Sequence, residues 1–174
     1  MTQRPLAELE TQLGYKFADQ TLLQQALTHA SFSGPTASYE RLEFLGDRVL
    51  GLLLAHYFYD HCPDDNEGAL SLRLHSEART ETLAKVARKL NIADFLQTQP
   101  GVRFDGNDNV LADVMESLLA AIYLDSGLAD AATFLRAHWR LASTAPASRE
   151  KDAKSRLQEW ALGQGLGLPV YRQL

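Results

Sequence analysis

Apolar residues recur at helical spacing along almost the whole chain, and one segment takes the pattern to its limit. From Val110 to Leu124 the sequence VLADVMESLLAAIYL is apolar on nearly every side. A helix without a polar face has to be enclosed by other elements, so this segment predicts a buried helix. Around it, Leu6, Leu9 and Leu13 mark a first helix that Gly14 stops, and Leu22 to Leu27 a second that starts near Asp19. A long segment runs from Tyr39 to about His61 and ends at Pro63, and Leu70 to Leu74, Leu83 to Leu90 and Leu128 to Leu141 add further helical pieces. SFSGPTASY (31–39), CPDDNEG (62–68) and PGVRFDGNDN (100–109) read as loops. No run alternates over strand length and no segment repeats. The fold expected is all-α, with seven to nine helices.

The 174 residues suit one domain of typical size with a short appendage. APASREKD (145–152) breaks the helical pattern and marks a linker, so the expected organisation is a domain over 1–144, a linker over 145–151 and a further segment over 152–174. The single cysteine, Cys62, rules out an internal disulfide framework and a multi-thiolate zinc site. No apolar h-region opens the chain, and its longest apolar run, near Val49 to Ala55, falls far short of the roughly 20 residues a membrane helix needs. A cytoplasmic protein with no membrane partner is expected. The net charge of −5 argues against a simple electrostatic binder of nucleic acid. It leaves room for an enzyme whose carboxylates hold divalent cations and so invert the local charge.

The acids occupy unusual places. Glu40, Glu43 and Asp47 lie at i, i+3 and i+7 in ERLEFLGD, within about 60° of one another on a helix. Asp113 and Glu116, at i and i+3, share a face of the most hydrophobic helix. Arg41 and Arg48 lie about 100° round the helix from their acidic neighbours, so neither is expected to cancel the charge. At an effective dielectric near 20, one such acidic pair costs on the order of 3 kcal/mol, and desolvation adds to it. Three arrangements relieve the cost: an exposed face, protonated acids, or a bound cation. Two acidic pairs facing each other would form an oxygen-rich site suited to Mg²⁺ and to metal-assisted phosphoryl transfer.

The run ERLEFLGDRVLGLLLA (40–55) closely resembles the signature of the ribonuclease III family. ALTHASF (26–32) resembles the short family block upstream of it, and LADVMESLLAAIYLDSG (111–127) the second acidic block. GYKF (14–17) and EGALS (67–71) follow in order, and the resemblance spans about residues 6–141. DAKSRLQEWALGQGLGLPVY (152–171) is similar to the opening helix of a double-stranded-RNA-binding domain, so 152–174 is expected to be the truncated start of one. The resemblance implies a helical endonuclease domain that forms a homodimer and cuts double-stranded RNA with Mg²⁺, or Mn²⁺ as an alternative. It implies Glu43, Asp47, Asp113 and Glu116 as metal-binding carboxylates, with Asp47 and Glu116 catalytic. Glu40 and Glu67 are implied as accessory acids, and Phe44 as a dimer contact. The implied reaction is in-line attack by a metal-bound water, leaving 5′-phosphate and 3′-hydroxyl ends, as in processing of ribosomal and messenger precursors. Duplex RNA would be read by shape and 2′-hydroxyls.

Three features depart from the family pattern. Asp105 and Asp108 stand in a loop that is basic in many relatives, which predicts weaker phosphate contacts. RLHSEARTE (73–81) matches poorly, leaving Arg73 and Arg79 as candidate RNA contacts. The chain stops at Leu174, short of the basic helix of an RNA-binding domain, which predicts salt-sensitive binding. A catalytically weak duplex-RNA-binding or scaffold protein of the same fold is therefore the alternative reading, and a helical interaction domain with solvated acids a third. His29 reads as a structural hydrogen-bonding residue, and His56 with His61 as a poor zinc pair because their spacing splits them across the helix. Tyr57, Phe58 and Tyr59 read as core and interface, Trp139 and Trp160 as packed between helices, and Arg79, Lys85, Arg88 and Lys89 as a solvated face.

Overall fold

In the computed structural model the helix over Asp108–Ser126, here α7, is enclosed by the helices of residues 1–144, and from 110 to 122 only Asp113 and Glu116 are not buried. The structure describes residues 4–33, 37–102, 104, 106–141 and 153–166. Asp105 and the expected linker 145–151 lie outside the described residues, as do 167–174. The chain forms two compact units, Met1–Thr144 and Ala145–Leu174.

In the first unit α1 (Leu6–Leu13), α2 (Gln20–Ala26), α3 (Ala30–Ser33), α4 (Glu40–His61), α5 (Glu67–Ala78) and α6 (Thr80–Lys89) precede α7, and α8 (Leu128–His138) follows it. A 3₁₀ turn at Ile92–Phe95 lies between α6 and α7. In the second unit, the described residues form α9 (Ala153–Gly163). Among the described residues there is no strand, only one isolated parallel bridge between Thr28 and Gln97. The all-α expectation holds. Two short elements escaped the sequence reading. α3 overlaps the start of the expected 31–39 loop, and the 3₁₀ turn buries Ile92 and Phe95. Both are too short to show a helical period.

The helix ends follow from local chemistry. Gly14 takes the left-handed conformation at φ 66° that closes α1. Asp19 accepts from Thr21 N (2.8 Å), Asn66 from Ala69 N (3.0 Å), and Asn107 from Asn109 N (3.1 Å) and Val110 N (3.3 Å), each capping the helix that follows.

α7 packs against α2, α4, α6 and α8, most extensively against α4. Its buried Leu111, Met115, Leu118, Leu119 and Ile122 are each worth about 1.5–3 kcal/mol. Ser117 is also wholly buried, and its hydroxyl donates within reach of Ala26 O (2.7 Å) and Val114 O (2.8 Å), joining α7 to the end of α2. The crossing with α4 is closer still. A Cβ built on Gly46 would stand 1.9 Å from the carbonyl oxygen of Glu116. Only a residue without a side chain lets the two backbones approach this far.

Trp139 is buried, with its indole N–H donating to Glu77 O (3.3 Å), as expected. Trp160 is not packed between helices: it is 59% exposed on α9. The short amphipathic stretch around it offers no second apolar layer to cover so large a ring. No described helix is long and apolar enough to cross a membrane.

Candidate active site

The Gly46–Glu116 approach places one turn of α4 against one turn of α7, and both turns carry acids. Glu43 sits one turn before Gly46, and Asp113 one turn before Glu116. All three carboxylates are half-buried. Burial pushes the Glu43 carboxyl above the usual range, and the charges of Asp113 and Glu40 push it further. Asp113 is likewise raised by burial, with His29 opposing. Glu116 is pushed up to about 7, first by burial and then by Asp113 and Glu43, with Arg48 acting the other way. Three carboxyls from two helices thus share one electrostatic site, short of positive charge.

Tyr39 and His29 border this site. The Tyr39 N–H donates to Thr28 O (2.9 Å), and its carbonyl accepts from Glu43 N (2.8 Å), so it hands the chain directly into the acidic turn. Burial and the charges of Asp113, Glu43 and Glu40 raise its phenol above the ordinary value. The His29 ring lies 5.7 Å from that of Tyr39 and 4.5 Å from that of Phe104. Its Nδ1 accepts from Ser31 N (3.0 Å), which leaves the ring proton on Nε2 in the neutral form. The sequence singled out neither Tyr39 nor Gly46, and it read His29 only as structural. A glycine in the interior of a long apolar helix was the available signal for Gly46, since it costs about 1 kcal/mol against alanine.

Asp47 is exposed, unlike these three. Its carboxylate forms an exposed ion pair with Arg48, contrary to the expectation that Arg48 points elsewhere. The 100° helical offset sets only where Cβ leaves the helix, and an exposed arginine is long enough to fold back. Glu40, exposed, accepts from Ser38 Oγ (3.3 Å), and Glu67, exposed in the first turn of α5, accepts from Ser71 Oγ (2.8 Å). Among the described residues, no three His, Cys, Asp or Glu side chains converge closely enough to hold one ion. The donors are all hard oxygens and their mutual repulsion favours a cation among them, so they fit Mg²⁺ in kind.

Comparison with known proteins matches the pattern of a ribonuclease-III-like domain over residues 19–140. The chain belongs to the ribonuclease III family. It is 44% identical to Ribonuclease 3 of Brucella canis and of Brucella suis over 168 residues, covering 94% of this chain and 68% of each relative. Among solved structures, the nuclease domain of ribonuclease III from Campylobacter jejuni matches with a TM-score of 0.71 and 35% identity, over 76% of this chain and 94% of that one. Dicer from Giardia intestinalis matches with a TM-score of 0.61 and 27% identity, over 76% of this chain and 18% of that one. The first unit therefore has the ribonuclease III nuclease fold, and the chain is an endoribonuclease of that type.

Within that family frame, two expected RNA contacts part company. Arg73 has a side chain only 9% exposed and its Nε donates to Asp65 (2.5 Å), so it holds α5 to the preceding turn and does not face solvent. Burial of the long stem becomes favourable once the guanidinium has a carboxylate partner. Arg79 is exposed, 3.9 Å from Glu81. In the basic cluster, Lys85 and Lys89 are exposed and Arg88 pairs with Asp108 at the start of α7. His56 and His61 do not meet: His56 faces Asp60 (3.2 Å) and His61 stacks on Tyr57.

Proposed function

We propose that this chain cleaves double-stranded RNA with Mg²⁺, or Mn²⁺ in its place, leaving 5′-phosphate and 3′-hydroxyl ends. The observation that carries the proposal is the α4–α7 crossing at Gly46, which gathers Glu43, Asp113 and Glu116. Glu43, Asp47, Asp113 and Glu116 would hold the metal, with Asp47 released from Arg48. When bound, a divalent ion supplies charge neutralisation at the scissile phosphate and an acidified water. The chain's own part is positioning. α4 and α7 would hold the donors on rigid elements, and Glu116, about half protonated near neutral pH without metal, would give up that proton on metal binding. Glu40 would stand as an accessory acid at the margin, and Glu67 as a second one.

Homodimerisation fits the exposed face of α4. Phe44, Leu52 and Tyr59 fall within about 80° on one side of the helix and are 67%, 54% and 74% exposed. Arg48 lies 5.1 Å over the Phe44 ring and extends that strip. Such a stripe on a helix is suited to a second copy of the same helix. Arg79, Lys85 and Lys89 would contact phosphates of an A-form duplex recognised by shape. We assign α9 to the start of a double-stranded-RNA-binding domain and place the protein in cytoplasmic processing of ribosomal and messenger precursors.

The test is cleavage of an end-labelled RNA duplex by the wild type, Glu116→Gln and Asp47→Asn in Mg²⁺. Each variant is expected to lose about 10²-fold or more in rate, with the single-stranded control uncut throughout. Wild-type rates in either variant would overturn the site assignment. Binding without product in the wild type itself would favour the scaffold reading.

A further inference from the structure

A cleft of about 530 Å³ lies at the far end of α4, apart from the acidic turn near its start. Tyr57 and His61 from α4, Arg136 from the last turn of α8, and Trp139, Arg140 and Leu141 just beyond it line the opening. Its volume falls within the roughly 300–1,000 Å³ of small-molecule sites.

The lining combines two kinds of chemistry. One wall is flat and aromatic: the Tyr57 and His61 rings stack at 4.1 Å with 12° between their planes. Trp139 adds a third ring, buried and fixed by its hydrogen bond to Glu77 O. The other contribution is positive. Arg136 and Arg140 are exposed, and His61 is exposed beside them. Among the described residues no carboxylate lines the cleft, although the chain as a whole carries a net charge of −5. Asp60, the nearest acid in sequence on α4, faces His56 at 3.2 Å. Arg136 donates to the hydroxyl of Thr133 (3.1 Å), and among the described residues neither Arg136 nor Arg140 has a carboxylate partner. The C-terminal dipole of α8 accounts for a cation at Arg136. It accounts neither for Arg140, beyond the helix, nor for the rings opposite.

We propose that this cleft binds a nucleoside 5′-monophosphate group, the base against the aromatic wall and the phosphate between Arg136 and Arg140. Guanidinium groups pair with phosphate oxygens through parallel N–H donors, and a dianion answers two adjacent cations better than a single carboxylate does. A flat π-system joined to a dianion is the ligand that satisfies both walls. It has two sources of identical chemistry: a free mononucleotide, or the 5′-phosphorylated terminal nucleotide of an RNA strand.

Trp139 supplies the readout. In a Trp160→Phe background it is the sole tryptophan, so a base entering the cleft should change its fluorescence. The full chain is titrated in EDTA with guanosine 5′-monophosphate, with guanosine, and with short single strands bearing either a 5′-phosphate or a 5′-hydroxyl. Saturable quenching by the monophosphate is expected, weakened at least about tenfold for guanosine and for Arg136→Ala or Arg140→Ala. Both arginines are exposed, so the variants should keep the wild-type thermal midpoint. Preference for the 5′-phosphorylated strand over its 5′-hydroxyl twin identifies an RNA end as the source. Binding of the free monophosphate alone identifies a nucleotide. No saturable response up to about 10 mM, or equal response in both arginine variants, overturns the proposal.

Discussion

Replacing Gly46 with alanine tests the geometry on which the catalytic reading depends. The added Cβ would lie 1.9 Å from the Glu116 carbonyl oxygen, 2.4 Å from its carbon and 3.0 Å from its Cα. Ordinary contact begins near 3.5 Å, so the helices must separate by roughly 1.5 Å. The obstacle is backbone in the middle of a buried helix and cannot rotate away. Overpacking of this kind costs about 1–3 kcal/mol or more, and the rigid obstacle puts Gly46→Ala at the upper end. Alanine returns about 1 kcal/mol of helix propensity, leaving a net loss of about 2 kcal/mol. For a domain of this size that lowers the thermal midpoint by roughly 4–8 °C. Gly51, five residues further along α4, provides the control: nothing lies within 4 Å of its Cβ position. Gly51→Ala should therefore gain about 1 kcal/mol from propensity alone. The same chemical change in the same helix thus takes opposite signs at the two positions. Urea denaturation followed by far-ultraviolet circular dichroism measures both. A Gly46→Ala protein as stable as wild type, or a shift in the same direction for both variants, would refute the close crossing.

Three further outcomes follow from the same structure. Because Glu116 titrates near 7 in the folded chain against about 4.5 unfolded, metal-free stability is greatest below pH 4.5 with respect to this group. It falls as the pH rises through 7. The full shift corresponds to about 3 kcal/mol, and partial exposure of the carboxyl reduces this to about 1–2 kcal/mol; Glu116→Gln should flatten the profile in urea titrations run at several pH values. Phe44→Glu should leave the monomer folded but shift sedimentation toward the single chain; an unchanged oligomer would remove α4 from the interface. Arg73→Ala should cost about 1–3 kcal/mol by leaving Asp65 unpaired, with KM for duplex RNA unchanged, whereas a raised KM at full stability would restore Arg73 as an RNA contact.

Much of the architecture was legible from apolar spacing. A segment such as 110–124, apolar almost all round, has to be enclosed, and Gly14, Asp19 and Pro63 act through local backbone chemistry that needs no tertiary context. The acids at Glu43, Asp113 and Glu116 stood out because burial of a carboxylate is costly wherever it occurs. Arg48 was misread for a geometric reason. Periodicity locates a Cβ, whereas the end of a long side chain goes where the nearest uncompensated carboxylate lies. Trp160 was misread because apolar character does not say whether a second layer exists to cover it.

The sequence by itself determined which segments become helices, where they stop and which acids must find relief from one another, since each depends on neighbours within a few residues. Only the tertiary structure decided that Gly46 meets the backbone of Glu116, and so that acids some seventy positions apart act on one another. Contact between distant segments depends on how two helix surfaces fit together, and no local pattern contains that information.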